Sequence, residues 1–191
     1  TRAFKSWSGF LPSEVAKTGV SKSFPKLSFY IEVKGGKSMD YKIVEMPEFI
    51  FAGVSKRVPM QFEGENNAII ELANSITQEQ RDEMHSIQNI KPFEIVNVSY
   101  EHDHNFMEDR GELTHLIGVL TTKENVSELL DIIEVPAYTW AVFPNEGPFP
   151  ETLQQTYAKI YSEWLPISDF EVIQAPGFSF TSMDKEKENF A

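Results

Sequence analysis

The sequence predicts an α+β fold in which two pseudo-twofold-related βαββ units form a mainly antiparallel sheet, with the helices on one side and a ligand groove at the centre. Three observations predict it: a twelve-residue stretch recurs, a helix-period pattern follows each copy, and strand-like stretches follow each helix. The copies are IVEMPEFIFAGV (Ile43 to Val54) and IIEVPAYTWAVF (Ile132 to Phe143), at a constant offset of 89 residues. Ile43/Ile132, Glu45/Glu134, Pro47/Pro136 and Ala52/Ala141 are identical, and Val44/Ile133, Met46/Val135, Phe49/Tyr138 and Phe51/Trp140 keep their character. A duplicated unit of this kind has to be recognised before its strands are assigned.

The elements follow in chain order. Phe4 and Trp7, with Ala3 beside them, make the apolar stripe of a short helix that carries Arg2 and Lys5 on its other side and stops at Gly9. Nothing upstream is left for that stripe to cover, so the chain is expected to start inside a larger helical domain. Pro12-Ser13-Glu14 opens a second short helical turn, proline being tolerated at a first helical position. A linker with a strand-like centre, LSFYIEV, and a Gly35-Gly36 joint leads to a domain boundary near Met39.

After the first copy, Ile69, Leu72, Ala73 and Ile76 share one helical stripe, and Thr77 with Gln80 is spaced as a capping box for a second short helix. Two strands, FEIVNVSYEHD and ELTHLIGVLTT, follow around a polar turn at Asp109-Arg110-Gly111. After the second copy, Pro148 and Pro150 introduce a helix with Leu153, Tyr157, Ile160, Tyr161 and Trp164 on its apolar stripe, which Pro166 is expected to end. FEVIQ and FSFTSM then read as two strands around Ala175-Pro176-Gly177, and the charged tail DKEKENFA is expected to fray. A unit of about 70 residues covers too little of its own apolar surface to stand alone, so the two are expected to pair and leave a groove at their seam.

Composition narrows the function. The chain has 191 residues, 41% of them apolar, with 24 aromatics and no cysteine. Apolar runs such as FIFAGV fall far short of the roughly 20 residues that cross a bilayer, and no charged-then-apolar leader is seen. The expectation is therefore a soluble, cytoplasmic protein without a membrane partner. Without cysteine there are no disulfides, thiolate nucleophiles or cysteine-held metal centres. The net charge of −12 is unevenly spread: residues 1–38 hold 7 Lys/Arg against 2 Asp/Glu, and residues 39–191 hold 10 against 27. The second region, at −17, repels a phosphate backbone.

Two stretches resemble known families. TRAFKSWSGFLPSEVAK resembles the last recognition helix and closing turn of an AraC-type DNA-binding domain, matched by Arg2, Phe4, Lys5, Gly9 and Pro12; Ser8 stands where phenylalanine is usual, and Val15-Ala16 where Tyr-Arg is usual. From residue 39 to about 184 the chain resembles the GyrI-like, SOUL-related effector-binding domain. Val135-Pro136-Ala137, Ala141-Val142-Phe143, Gly147-Pro148, Thr156-Tyr157, Ile160-Tyr161 and Glu163-Trp164-Leu165-Pro166 carry that likeness in register.

The resemblance implies a domain organisation: residues 1–38 as the tail of an AraC-type DNA-binding domain plus linker, 39–184 as the effector-binding domain, and 185–191 as a flexible tail. It implies that drugs, dyes or other lipophilic cations bind between the two βαββ units. DNA would be met only through a helix-turn-helix domain preceding residue 1. It also implies a glutamate in the last strand that meets the cation; here Ser179 takes that place and Thr181 the place of a tyrosine, so Glu163 or Glu101 would have to serve, or the ligand is not a cation.

The residues themselves name candidates. A lipophilic cation can be held by ring faces and one partly desolvated carboxylate. Trp140, Phe143, Tyr157, Tyr161, Trp164 and Phe180 supply rings, Tyr100 a phenol, and Glu101 and Glu163 carboxylates. Since strand residues alternate between faces, Trp140 and Phe143 do not share one groove wall. The EHDH stretch (Glu101 to His104) puts two imidazoles on one face but lacks further ligands nearby, so no metal and no cofactor is expected. Two rival readings remain: a small-molecule hydrolase using Glu163 with Tyr157 or Tyr100 as an acid–base pair, and a protein-interaction module whose groove is filled by side chains. No catalytic residue is assigned, because no nucleophile order, phosphate loop or dinucleotide fingerprint occurs.

Overall fold

The computed structural model describes residues 11–18, 39–103 and 111–181. The helix expected over Arg2 to Ser8, the linker strand LSFYIEV, the Asp109-Arg110 part of the polar turn, His104 and the charged tail lie outside the described residues. The chain divides into two units, residues 1–37 and 38–191. In the first, α1 (Pro12–Thr18) has proline at its first position.

In the second unit the described elements are β1 (Lys42–Met46), β2 (Phe49–Pro59), α2 (Asn67–Ser75), α3 (Gln78–Ile87), β3 (Val96–Tyr100), β4 (Glu112–Thr121), β5 (Asp131–Val135), β6 (Tyr138–Val142), α4 (Glu151–Lys159) and β7 (Gly177–Phe180). Each copy of the repeat is thus two strands bent at its proline, as a ring without an N–H requires where a ladder is interrupted. The strands form an antiparallel five-stranded sheet in the order β5-β2-β4-β3-β7 and a two-stranded ribbon of β1 and β6.

The register shows the duplication in three dimensions. β1 pairs with β6 so that Lys42 faces Val142, and β2 pairs with β5 so that Gly53 faces Asp131. Shifting Lys42 forward and Val142 back by the 89-residue offset gives Asp131 and Gly53, so one pairing maps onto the other. Each copy lends its first strand to the second strand of the other, which is the relation a twofold axis produces.

One side of the five-stranded sheet is covered by α2 and α3. Leu72, Ile76, Met84 and Ile87 from these helices bury against Ala52, Ile117 and Val119, with Ile50 and Val54 at the margin. The helix starts are fixed by local chemistry. The Asn66 side chain accepts from the Ala68 amide, and Thr77 and Gln80 form the expected reciprocal capping box. Thr121 ties the end of α3 to β4 by donating its hydroxyl to the Ile87 carbonyl at 2.7 Å. The other side of the sheet buries Phe49, Phe51, Val96, Val98, Leu116, Leu120 and Val135 against Met46, Tyr138 and Trp140 from the ribbon strands and Phe178 from β7.

The second half departs from the first in two ways. Phe170 to Gln174, expected as a strand, forms none, and β7 joins the first half's sheet beside β3. The apolar alternation of FEVIQ is real, but Val172 and Ile173 remain 61% and 53% exposed, so no neighbouring strand covers them. Nor does Pro166 end a plain helix: α4 passes into a π-helical turn at Ile160–Trp164 and then a 3₁₀ turn at Leu165–Ile167 that accommodates the proline near its start.

Candidate functional site

Strand pairing decides which side chains share the helix-covered side. Asn97 lies opposite Ile117 and Ser99 opposite His115, and on the outer strand Ser179 lies opposite Asn97 and Gly177 opposite Ser99. Because Ile117 faces α3, these residues all face the helix side. They make a small, polar floor on β3, β4 and β7, beyond the apolar area that α2 and α3 cover.

His115 is the centre of that floor. It is 5% exposed, its Nε2 lies 3.1 Å from Asn97 Oδ1, and its Nδ1 lies 3.5 Å from Ser99 Oγ. Burial lowers its pKa to about 4, because the charged imidazolium loses hydration there. A cavity of about 80 Å³ lined by Ile76, Arg81, Met84, His85, Ile95 and Ile117 adjoins the floor on the α3 side. It is too small for a drug-sized molecule by itself, which needs roughly 300 Å³ or more.

The opposite wall comes from α4. Two hydrogen bonds anchor this helix: Gln154 Nε2 donates to the Gly64 carbonyl at 2.8 Å and its Oε1 accepts from the Gly64 amide at 3.1 Å. Further along, the Tyr157 hydroxyl reaches within 3.9 Å of the place where a Cβ would sit on Gly177, above the floor. Partial desolvation raises the pKa of that phenol even though the residue as a whole is 37% exposed, with Tyr161 adding to the rise. Neither α4 nor the π-helical turn contains a buried side chain. A second depression, of about 460 Å³, lies at the bends of the two copies and is lined by Glu45, Met46, Pro47, Ala137, Tyr138 and Thr139. It shares no residue with the first.

The nine residues chosen from the sequence fall in four places. Tyr157 stands on α4, and Tyr161 and Glu163 are exposed on the π-helical turn. Phe143 and Trp164 join Tyr41 and Phe170 in a ring cluster that fastens the turn to the ribbon: Phe143 to Trp164 is 4.9 Å, Tyr41 to Trp164 5.1 Å, and Trp164 stacks on Phe170 at 5.6 Å.

Trp140, Tyr100 and Phe180 belong to the side of the sheet away from the helices. Trp140 lies 5.1 Å from Phe178, and its indole N–H is buried without a partner among the described residues. Phe180 lies opposite Val96 and stacks on Phe178. The Tyr100 pKa is raised, chiefly by burial, with the Ser55 hydroxyl pulling the other way and Glu101 and Asp131 adding to the rise.

Glu101 is engaged at the base of the β3–β4 connection. Its carboxylate accepts from the Thr114 hydroxyl at 2.9 Å, and Arg57 donates to its carbonyl at 2.6 Å and to Asp103 at 2.7 Å. Its φ of 50° is a left-handed conformation unusual for a residue with a side chain, and these contacts hold it there. His102 is shifted down by burial and by Arg57, and among the described residues no group of three metal-ligating side chains occurs.

Sequence reading missed Asn97, Ser99 and His115. The signal was present: in VNVSY and ELTHLIG the polar residues occupy the alternate positions that should pack under a helix. Polar groups on that side of a buried strand imply either a hydrogen-bond network or a ligand.

A domain of two like halves, with a polar floor and an incompletely covered apolar wall between helices, has the build of a small-molecule-binding domain. The chain belongs to the family of the GyrI-like small molecule binding domain, whose family model matches residues 39–191. Among solved structures it is similar to SAV2435 bound to tetraphenylphosphonium, with a TM-score of 0.55 and 17% identity over 73% of this chain and 81% of that one. It is also similar to a candidate bacterial transcription regulation protein from Staphylococcus aureus MU50, with a TM-score of 0.53 and 16% identity over 74% of this chain and 85% of that one. At these identities the likeness is one of fold. A comparison with curated proteins finds no match.

Proposed function

We propose that residues 39–184 are the ligand-sensing domain of an AraC-type transcription regulator, and that the ligand is an amphipathic small molecule held over the β3–β7 floor against Tyr157 of α4 and Tyr161 of the π-helical turn. One observation carries this reading. The first half closes its helices onto the sheet with Leu72, Ile76, Met84 and Ile87, whereas α4 and the π-helical turn have no buried side chain and leave Tyr157 and Tyr161 37% and 47% exposed. An apolar face left uncovered beside convergent polar groups is how small-molecule sites are built.

The regulator context rests on the resemblance of residues 1–17 to the end of an AraC-type DNA-binding domain, with 18–38 as the linker and 185–191 as a tail. The fold neighbour bound to tetraphenylphosphonium and the transcription regulation protein support sensing over catalysis. Occupancy reaches DNA only if the ligand binds the DNA-competent and incompetent states unequally.

The test is a thermal-shift screen of the chain against lipophilic cations, neutral lipophiles and aromatic acids. A ligand at a hundredfold excess over its Kd stabilises the protein by about 2.7 kcal/mol. Silence across all three classes removes the sensing reading. The regulator half is tested by operator binding of the full-length gene product with and without the hit; identical binding curves leave a ligand-binding domain with no regulatory output.

A further inference from the structure

We propose that this groove selects an uncharged apolar molecule bearing a hydrogen-bond-accepting oxygen, a ketone or an amide, over a lipophilic cation. The inference rests on the reading that the ligand sits over the β3–β7 floor. It follows from which hydrogen-bonding groups the floor has already used and which it leaves open.

Asn97 turns its amide oxygen to His115, so Nε2–H is the donor of that 3.1 Å bond, and Nδ1 is left to accept the Ser99 hydroxyl proton at 3.5 Å. The depressed pKa of His115 agrees, since a neutral imidazole has one donor and one acceptor nitrogen. The network therefore spends the Asn97 carbonyl and the Ser99 proton. What remains is the Asn97 NH₂ group, which has no partner among the described residues. The neighbouring Ser179 hydroxyl and the Tyr157 hydroxyl are likewise without partners there, and the raised pKa of Tyr157 keeps its proton on at neutral pH. Three neutral groups able to donate thus lie on the same side of the sheet: Asn97 and Ser179 directly opposite each other on β3 and β7, and the Tyr157 hydroxyl over Gly177, two residues before Ser179.

Among the described residues no carboxylate is bonded to them. Glu101 is bonded to Thr114 at the far end of β3, Glu163 is exposed beyond α4, and Glu45 lines the separate depression at the bends. Lys56, opposite His115 on β2, is engaged with Glu71, and Arg81 of α3 with the Ala73 carbonyl. A cation entering here would shed water and meet donors, with no counter-charge to replace its hydration. An anion would meet the donors but must approach a region carrying −17. A neutral acceptor avoids both costs and satisfies donors that an apolar ligand would otherwise cover unpaired.

The experiment measures Kd by calorimetry on the full chain for three probes of one apolar body: 4-acetylbiphenyl, biphenyl-4-carboxylate and 4-biphenylyltrimethylammonium. The ketone is expected to bind about tenfold or more tighter than the ammonium. Asn97→Asp, which keeps shape and the bond to His115 but adds a carboxylate to the floor, should reverse that order. Tyr157→Phe should weaken the ketone about fivefold and leave the ammonium unchanged. Thermal unfolding checks that each variant is folded, and Tyr157→Phe, on a half-open helix, carries the test if Asn97→Asp does not fold. Tightest binding of the ammonium by the unaltered chain overturns the inference while leaving a small-molecule site in place, as does an order unmoved by both substitutions. Failure of all three probes removes the small-molecule reading itself.

Discussion

The two halves start from nearly the same twelve residues and end in different physical states. In the first, β2 is flanked by β4 and β5, two helices close one side, and Phe51, Ala52 and Val58 are wholly buried. In the second, β6 has β1 as its only strand neighbour among the described elements, and Ile132 stays 51% exposed. The same strand-proline-strand unit therefore puts its second strand inside the five-stranded sheet once and in a two-stranded ribbon once. What separates them is the following segment: the first supplies two helices and two paired strands, the second one helix and one strand. Apolar residues with too little covering them make a binding face, and the first half supplies the rigidity that face needs.

The contrast is sharpest at a pair of repeat mates. Gly53 of β2 lies against Gly118 of β4, where a Cβ on Gly53 would meet the Ile117 carbonyl oxygen and one on Gly118 the Ala52 carbonyl oxygen. The repeat mate of Gly53 is Val142, which has β1 on one side and, among the described elements, no second strand on the other to crowd its side chain. Gly53→Val is expected to cost more than about 3 kcal/mol and to lower the yield of folded protein, while Val142→Ala costs under about 1 kcal/mol. Denaturant unfolding of both measures the asymmetry; equal costs would mean the halves are packed alike.

Next in size is the helix contrast. Leu72→Ala in α2, where the side chain is 3% exposed, should cost about 2–5 kcal/mol, and Leu153→Ala in α4 about 1 kcal/mol or less. A comparable loss from α4 would say that this helix is core and not a wall.

His115 gives an effect on the order of 3 kcal/mol. Its folded pKa of about 4 lies below the unfolded 6.5, so between these values the unfolded chain binds the extra proton. Its share of stability is therefore full above pH 6.5 and is lost as pH falls toward 4. His115→Gln, which retains polar contacts with Asn97 and Ser99, should flatten the unfolding free energy against pH over that window relative to the unaltered chain. Parallel profiles would show that another group dominates. The smallest expected effect is Gln154→Ala, about 1 kcal/mol, read as faster amide exchange in α4 with α2 unaffected.

Much of the fold was legible in the residues because its determinants are local. Pro47 and Pro136 mark the bends, Thr77 and Gln80 state a capping box, and Leu72 and Ile76 define the stripe that α2 buries. The site was legible only in pieces. Alternation places Trp140 and Phe178 on definite sides of their own strands, yet it does not say that those sides meet each other across the sheet from the helices. The floor escaped for the same reason: Asn97, Ser99 and His115 look like scattered polar residues until the register of β3 with β4 brings them together. FEVIQ shows the reverse failure, a strand pattern with no partner strand to complete it.

The sequence by itself determined the duplicated unit, the sides of each strand and the kinds of side chain available to a ligand, since these depend on backbone period, proline geometry and residue chemistry within a few positions. Only the tertiary structure decided that the copies exchange strands, that β7 joins the first half, and that the polar positions of three strands form one floor. Those outcomes depend on which distant backbones find each other's hydrogen-bonding groups, and no short window of residues contains that choice.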